Sequence, residues 1–185
     1  TASISSMRLF THSANTSEDL SYKGFEMTGY ARNGAVLHSR DLPIIRGPYI
    51  QEGVTVNIEP GTVIKVSQDG RTGIYVYGKL NMIGTPEEKI YITSLAADSL
   101  MGDTNGDGDL TSPGIRNWNA IYLENGSEAN FENVVMRYGG YNFNGEYMQG
   151  VAASIYARGT KLSIKNSLID DWSTAIFQDA GSVNI

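Results

Sequence analysis

The residue types most able to do chemistry in this chain are concentrated in Asp103-Thr-Asn-Gly-Asp-Gly-Asp-Leu-Thr111. Side-chain oxygens recur at alternate positions, Asp103, Asn105 and Asp107, and Gly108 permits a sharp turn before Asp109 and Thr111. This spacing matches the first half of a calcium loop of the EF-hand type, in which Asp103, Asn105 and Asp107 bind by side chain, Asp109 by its carbonyl and Thr111 through a water. The twelfth position is Gly114 and not Glu, so a further ligand is expected from elsewhere, either Asp98 or a residue of 117–124. The expected role of Ca2+ is structural. Crowded carboxylates repel until a cation neutralises them, so binding orders the long loop.

The aromatic residues form a second group. Ile74-Tyr-Val76, Ile90-Tyr-Ile92, Ile121-Tyr-Leu123, Ile155-Tyr-Ala157 and Ile176-Phe-Gln178 share one pattern. Alternation along a strand sends the flanking apolar residues inward and Tyr75, Tyr77, Tyr91, Tyr122 and Tyr156 outward, an expected exposed stripe for sugar rings or a neighbouring subunit, or a packed face under a covering loop.

These residues need strands to hold them. In the stretch Val54 to Ser94, the runs 54–58, 62–66, 74–77, 80–82 and 90–92 mostly alternate apolar with polar or aromatic residues, the period of a half-buried strand. Glu59-Pro-Gly61, Gln68-Asp-Gly70, Gly78-Lys79 and Gly84-Thr-Pro86 punctuate them as turns, with Gly supplying positive φ and Pro withholding a donor. A unit this short cannot bury its own apolar face, so it must stack on copies of itself. An internal repeat is also suggested by Ser21-Tyr-Lys-Gly-Phe-Glu-Met27 against Asn130-Phe-Glu-Asn-Val-Val-Met136. The competing architecture, a β-sandwich, requires hairpins, and no two-residue hairpin signal sits between the matched strands.

The run Pro48-Tyr-Ile, Val54 to Val66, Gly78-Lys-Leu, Ile83-Gly-Thr-Pro86 and Ile90 to Ser94, continued by Gly102 to Asp109, Trp118-Asn-Ala-Ile121 and Met136-Arg-Tyr-Gly-Gly140, resembles right-handed parallel β-helix proteins of the pectate-lyase-like superfamily found on bacterial and archaeal surfaces. The resemblance covers 48–140 well and the flanks weakly. It implies an all-β fold, a right-handed parallel β-helix (solenoid), with 1–47 as an N-terminal β-rich segment that precedes the coils, 48–185 as the helix and 98–117 as a calcium-loop insertion. Gly181-Ser-Val-Asn-Ile185 reads as a strand beginning, so a fragment of a longer chain is expected.

That superfamily includes lyases, hydrolases, adhesins and structural proteins, so the fold does not choose among them. Asp170-Asp171 resemble the paired carboxylates of its hydrolases, yet consecutive strand residues point to opposite faces, and the Gly-His-Gly stretch of that family is absent. Arg137 and Arg158 are the nearest candidates for a lyase base, but nothing in their spacing ties them to the acidic loop. His12 and His38 stand alone. No catalytic residue is assigned. The expected function is a non-catalytic, extracellular or cell-surface structural or adhesive protein, partnered by like subunits or other surface proteins. The alternative is a carbohydrate-active protein that binds or cleaves acidic polysaccharide as a lyase or glycoside hydrolase. The sequons Asn15-Thr-Ser17 and Asn125-Gly-Ser127 fit a surface location.

Composition sets further bounds. A formal net charge of -6 without a Lys/Arg cluster argues against a nucleic-acid partner. With no Cys, the core holds without disulfides. No apolar run approaches the roughly 20 residues of a membrane-spanning helix.

Overall fold

The computed structural model describes the backbone of the strands at 3–10, 24–31, 35–37 and 41–44, and residues 48–68, 73–141, 151–170 and 174–185 in full. Every regular element among them is a β-strand. No helix is long and apolar enough to cross a membrane among the described residues.

The chain begins with β1 (Ser3–Phe10), antiparallel to β2 (Gly24–Ala31). From β2 onward it cycles through three positions. Strands β3 (Ala35–Leu37) and β4 (Asp41–Ile44) complete the first cycle; β5 (Tyr49–Ile50), β6 (Thr55–Ile58) and β7 (Val63–Val66) make the second. The third is β8 (Ile74–Val76), β9 (Lys79–Ile83) and β10 (Ile90–Ser94), and the fourth β11 (Ile121–Leu123), β12 (Glu128–Glu132) and β13 (Val134–Arg137). Then β14 (Ile155–Lys165) spans two positions in one strand before β15 (Leu168–Asp170), and β16 (Ile176–Asn184) repeats the long form.

Each strand pairs in parallel with the strand at the same position of the neighbouring cycle. In the first position Ile74 lies opposite Ile121, Ile121 opposite Ile155, and Ile155 opposite Ile176. In the second, Val56, Leu80, Ala129 and Leu162 align, and in the third Ile64, Ile92 and Met136. Because β14 pairs with β11 at its start and with β12 at its end, the first two positions form one eleven-stranded sheet, and the third forms a separate five-stranded sheet of order β15-β13-β10-β7-β4. These parallel ladders rule out the sandwich alternative. They also join the described strands β2, β3 and β4 of the N-terminal segment to the same sheets, through β5, β6 and β7.

The strand periodicity accounts for a single core between the two sheets. Val56, Ile58, Ile64, Val66, Ile74, Val76, Leu80, Met82, Ile90 and Ile92 all point into it and are buried, each such side chain contributing roughly 1.5–3 kcal/mol relative to exposure. Trp118 joins this core from the insertion that follows β10, its Nε1 donating to the Arg137 carbonyl at 2.8 Å. Gly139 lies against that indole, and a Cβ there would meet the ring at 2.6 Å. The turns from second to third position use residues that tolerate the left-handed region: Asn133 has φ 52° and Asn166 φ 48°. The Asn133 amide also donates to the Gly84 carbonyl of the preceding cycle at 3.1 Å.

The insertion between β10 and β11 folds back over the outer side of the five-stranded sheet. All four residues of β7 are buried, Lys65 included, although Ile64 and Val66 alone face the core. Gln68 reaches across to Asn117 of the insertion, Nε2 to Oδ1 3.5 Å.

Candidate metal centre

After β10 the chain leaves the sheet through a tight turn. The Ala96 amide donates to Ser94 Oγ at 3.2 Å and the Ala97 amide to the Ser94 carbonyl at 3.0 Å, with both alanines buried. This pins Asp98 close to the stack. Downstream, Gly102, Gly106 and Gly108 all take positive φ, 78°, 73° and 65°, a conformation that side chains disfavour and that wraps the loop upon itself. Asp103 organises the wrap: Oδ1 accepts from the Gly106 amide at 2.7 Å and the Asp107 amide at 3.2 Å, and Oδ2 accepts from the Gly108 amide at 2.8 Å. Asn105 Nδ2 donates to Asp107 Oδ2 at 2.8 Å and to Thr111 Oγ1 at 3.1 Å, and the Thr111 hydroxyl donates to Asp107 Oδ2.

The wrap brings carboxylate oxygens of Asp98, Asp103 and Asp107 within 4.8 Å of one another. Asp98, one of the completing ligands considered from sequence, joins them. Asn117 turns its Oδ1 to the Gly114 amide at 2.7 Å, and the Asp109 side chain is exposed, its expected contribution being the backbone carbonyl. The electrostatics are unfavourable as they stand: burial, followed by repulsion from Asp103, raises the Asp98 carboxyl above its ordinary value, and Lys65 works in the opposite direction. Asp98 Oδ1, Asn105 Oδ1 and Asp107 Oδ1 are shielded from solvent with no hydrogen-bond partner. Two carboxylate oxygens and one amide oxygen, shielded and without donors, suit a hard divalent cation, which takes six to eight oxygen ligands with flexible geometry.

Lys65, not singled out from the sequence, lies beneath the loop, and its Nζ donates to the Gly102 carbonyl at 2.7 Å. The available signal was a charged residue inside the otherwise apolar run Val63-Ile-Lys-Val66.

The five tyrosines do not make one stripe. Tyr75, Tyr122 and Tyr156 stack in register with Tyr49 and Phe177, which the sequence stripe had not included. Centroid separations are 4.7 Å for Tyr49 and Tyr75, 4.9 Å for Tyr75 and Tyr122, and 5.0 Å for Tyr122 and Tyr156, with planes within 9°; Phe177 follows at 6.1 Å, tilted by 48°. Tyr91 belongs to β10 in the other sheet, opposite Val63 and Val135, and Tyr77 follows β8 in a bend. Of the two expectations for the outward face, exposed or packed, the inner rings of the ladder take the packed one. Tyr122 and Tyr156 point out of the sheet but are only 2% and 1% exposed, packed with Ala120 and Ala153 in a second apolar cluster. Their hydroxyls are satisfied there, Tyr122 donating to Asn119 Oδ1 at 2.7 Å and Tyr156 to the Val151 carbonyl. Among the described residues the Tyr49 end of the ladder is the most exposed, at 38%, and there Tyr49, Tyr77, Gln51, Glu52, Asn125 and Gly126 line a cavity of about 950 Å³.

The remaining charged candidates are held in ion pairs. Arg137 contacts Asp170 at 3.0 Å and Arg158 contacts Glu124 at 3.3 Å, and neither arginine joins the aspartate group. His12, His38, Asn15 and Asp171 lie outside the described residues, as does part of the suggested repeat at 21–27. Comparison of this chain with protein-family models, with curated proteins and with solved structures finds no match.

Proposed function

We propose that this chain is a right-handed parallel β-helix, a solenoid of the pectate-lyase-like kind, with a non-catalytic structural or adhesive role at the cell surface or in the extracellular space, and that Ca2+ stabilises it. One observation carries the reading: Asp98, from the turn that leaves β10, meets Asp103 and Asp107 of the glycine-rich loop, with donor-free oxygens shielded from solvent between them. A cation there ties the glycine-rich loop to the turn that leaves β10, which is a fastening and not a reaction. The parallel ladders support the solenoid, and its long flat sides suit association with like subunits. The test is thermal unfolding in Ca2+ and in chelator, with electron microscopy under both conditions. Identical melting temperatures sink the calcium reading, and dispersed particles in both conditions sink the assembly.

A second reading rests on a different feature. Tyr49 and Tyr77 stand beside Gln51, Glu52 and Asn125 around the open cavity, and exposed aromatic faces flanked by amides and a carboxylate are the chemistry that binds sugar rings. A polysaccharide-binding protein follows if Tyr49→Ala and Tyr77→Ala both abolish retention on an acidic polysaccharide matrix; retention by neither the variants nor the parent chain removes this reading.

A further inference from the structure

An ammonium group is costly to remove from water unless charges and acceptors replace its hydration. Lys65 is 1% exposed. It sits on the outer side of β7, opposite Thr93 of β10 and Pro43 of β4, and its Nζ donates to the Gly102 carbonyl at 2.7 Å. Gly102 is the residue before Asp103 and holds φ 78°, so this bond fixes where the acidic loop starts relative to the sheet. From that start the loop must deliver Asp103 and Asp107 to Asp98, which is fixed independently by the turn after β10.

We infer that Lys65 is a positioning residue for the cation site, its buried ammonium anchoring the Gly102 carbonyl so that the loop carboxylates converge on Asp98 around donor-free oxygens. The inference rests on the calcium reading above and adds a consequence with a definite sign. By Coulomb's law, a positive charge beside a cation site weakens cation binding, so its removal tightens binding if charge is all that matters. If the anchorage matters more, removal weakens binding, because the ligands are no longer gathered and ordering them costs free energy at the moment the ion enters.

The experiment is calorimetric titration of the whole chain with Ca2+, for the parent protein, Lys65→Met and Asp98→Asn. Methionine keeps an unbranched stem and removes the charge and the donors. The expected result is Ca2+ binding by the parent and affinity at least about tenfold weaker in Lys65→Met, with circular dichroism unchanged. Equal or tighter binding by Lys65→Met overturns the inference and leaves the calcium reading standing, whereas no binding by the parent chain overturns both. A purely structural role lowers the melting temperature in chelator but leaves the affinity unaltered, which also counts against the inference. Should Lys65→Met fail to fold, the ammonium resonance of Lys65 in the 15N-labelled parent replaces it: a shift that follows Ca2+ saturation is expected, and a signal unmoved by saturating Ca2+ overturns the inference.

Discussion

The rings of Tyr75 and Tyr122 stack at a centroid distance of 4.9 Å with their planes 8° apart, although the whole aspartate loop lies between them in sequence. Parallel pairing of β8 with β11 sets Tyr75 directly opposite Tyr122, and the strand spacing of a sheet, about 4.8 Å, is also a good ring-stacking distance. The ladder therefore reports the register of the stack, and its buried members bear more of the stability than its open end.

Tyr122→Ala is expected to cost about 3–5 kcal/mol, the range for deleting a buried aromatic ring, because Tyr122 loses neighbours on both ring faces. Tyr122→Phe keeps the stack but leaves buried Asn119 Oδ1 without this donor, at about 1–3 kcal/mol. Tyr49→Ala, at the 38% exposed end, costs less than about 1 kcal/mol. Urea unfolding of the three variants checks the order, and equal costs for Tyr49→Ala and Tyr122→Ala contradict it.

For Asp98→Asn the expected sign depends on the ion. In chelator the variant melts higher than the parent, since it relieves a carboxylate raised by burial and by Asp103. In Ca2+ at about a hundred times its dissociation constant the parent gains about 2.7 kcal/mol, or roughly 5–10 °C for a chain of this size, and the variant gains much less. Scanning calorimetry in both buffers measures the crossing, and curves that keep one order throughout refute it.

Asn133→Ala removes the hydrogen bond to the Gly84 carbonyl and leaves at φ 52° a side chain without the polar group that lets asparagine favour the left-handed region. Together these cost about 2–3 kcal/mol. Asn133→Gly relieves the backbone part and loses only the bond, so its midpoint in denaturant should fall between those of the parent and the alanine variant.

Glu128 gives a pH test. Its hydrogen bond from Lys79, then that from Asn130, hold its carboxyl below the ordinary value. A folded-state value depressed below the unfolded one means that the folded state binds fewer protons, so the contribution is present above the unfolded value near 4.5 and is lost as pH falls through the folded one. The melting-temperature gap between the parent and Lys79→Met should be present at pH 7 and close below about pH 4. Both side chains are more than a third exposed, so the gap should be small and should shrink in about 1 M salt.

Much of the architecture was legible because it is written in short-range patterns. Alternation in Val54 to Ser94 locates β6 to β10 within a residue or two, the turn at Glu59-Pro-Gly61 falls where Gly61 takes φ 76°, and the spacing of Asp103, Asn105 and Asp107 marks the loop. These are decided by residues within a few positions of one another, where side-chain alternation and allowed φ do the work. Three things depended on distant segments. Ile90-Tyr-Ile92 carries the same local pattern as Ile74-Tyr-Val76 yet lies in the other sheet, because sheet membership follows from turn and insertion lengths around each cycle. Tyr122 and Tyr156 point outward as their alternation requires but are buried, because burial depends on Ala120 and Ala153 packing beside them. Lys65 meets the acidic loop only because the insertion folds back over β7, a contact 37 positions apart in sequence on which local propensity has no bearing.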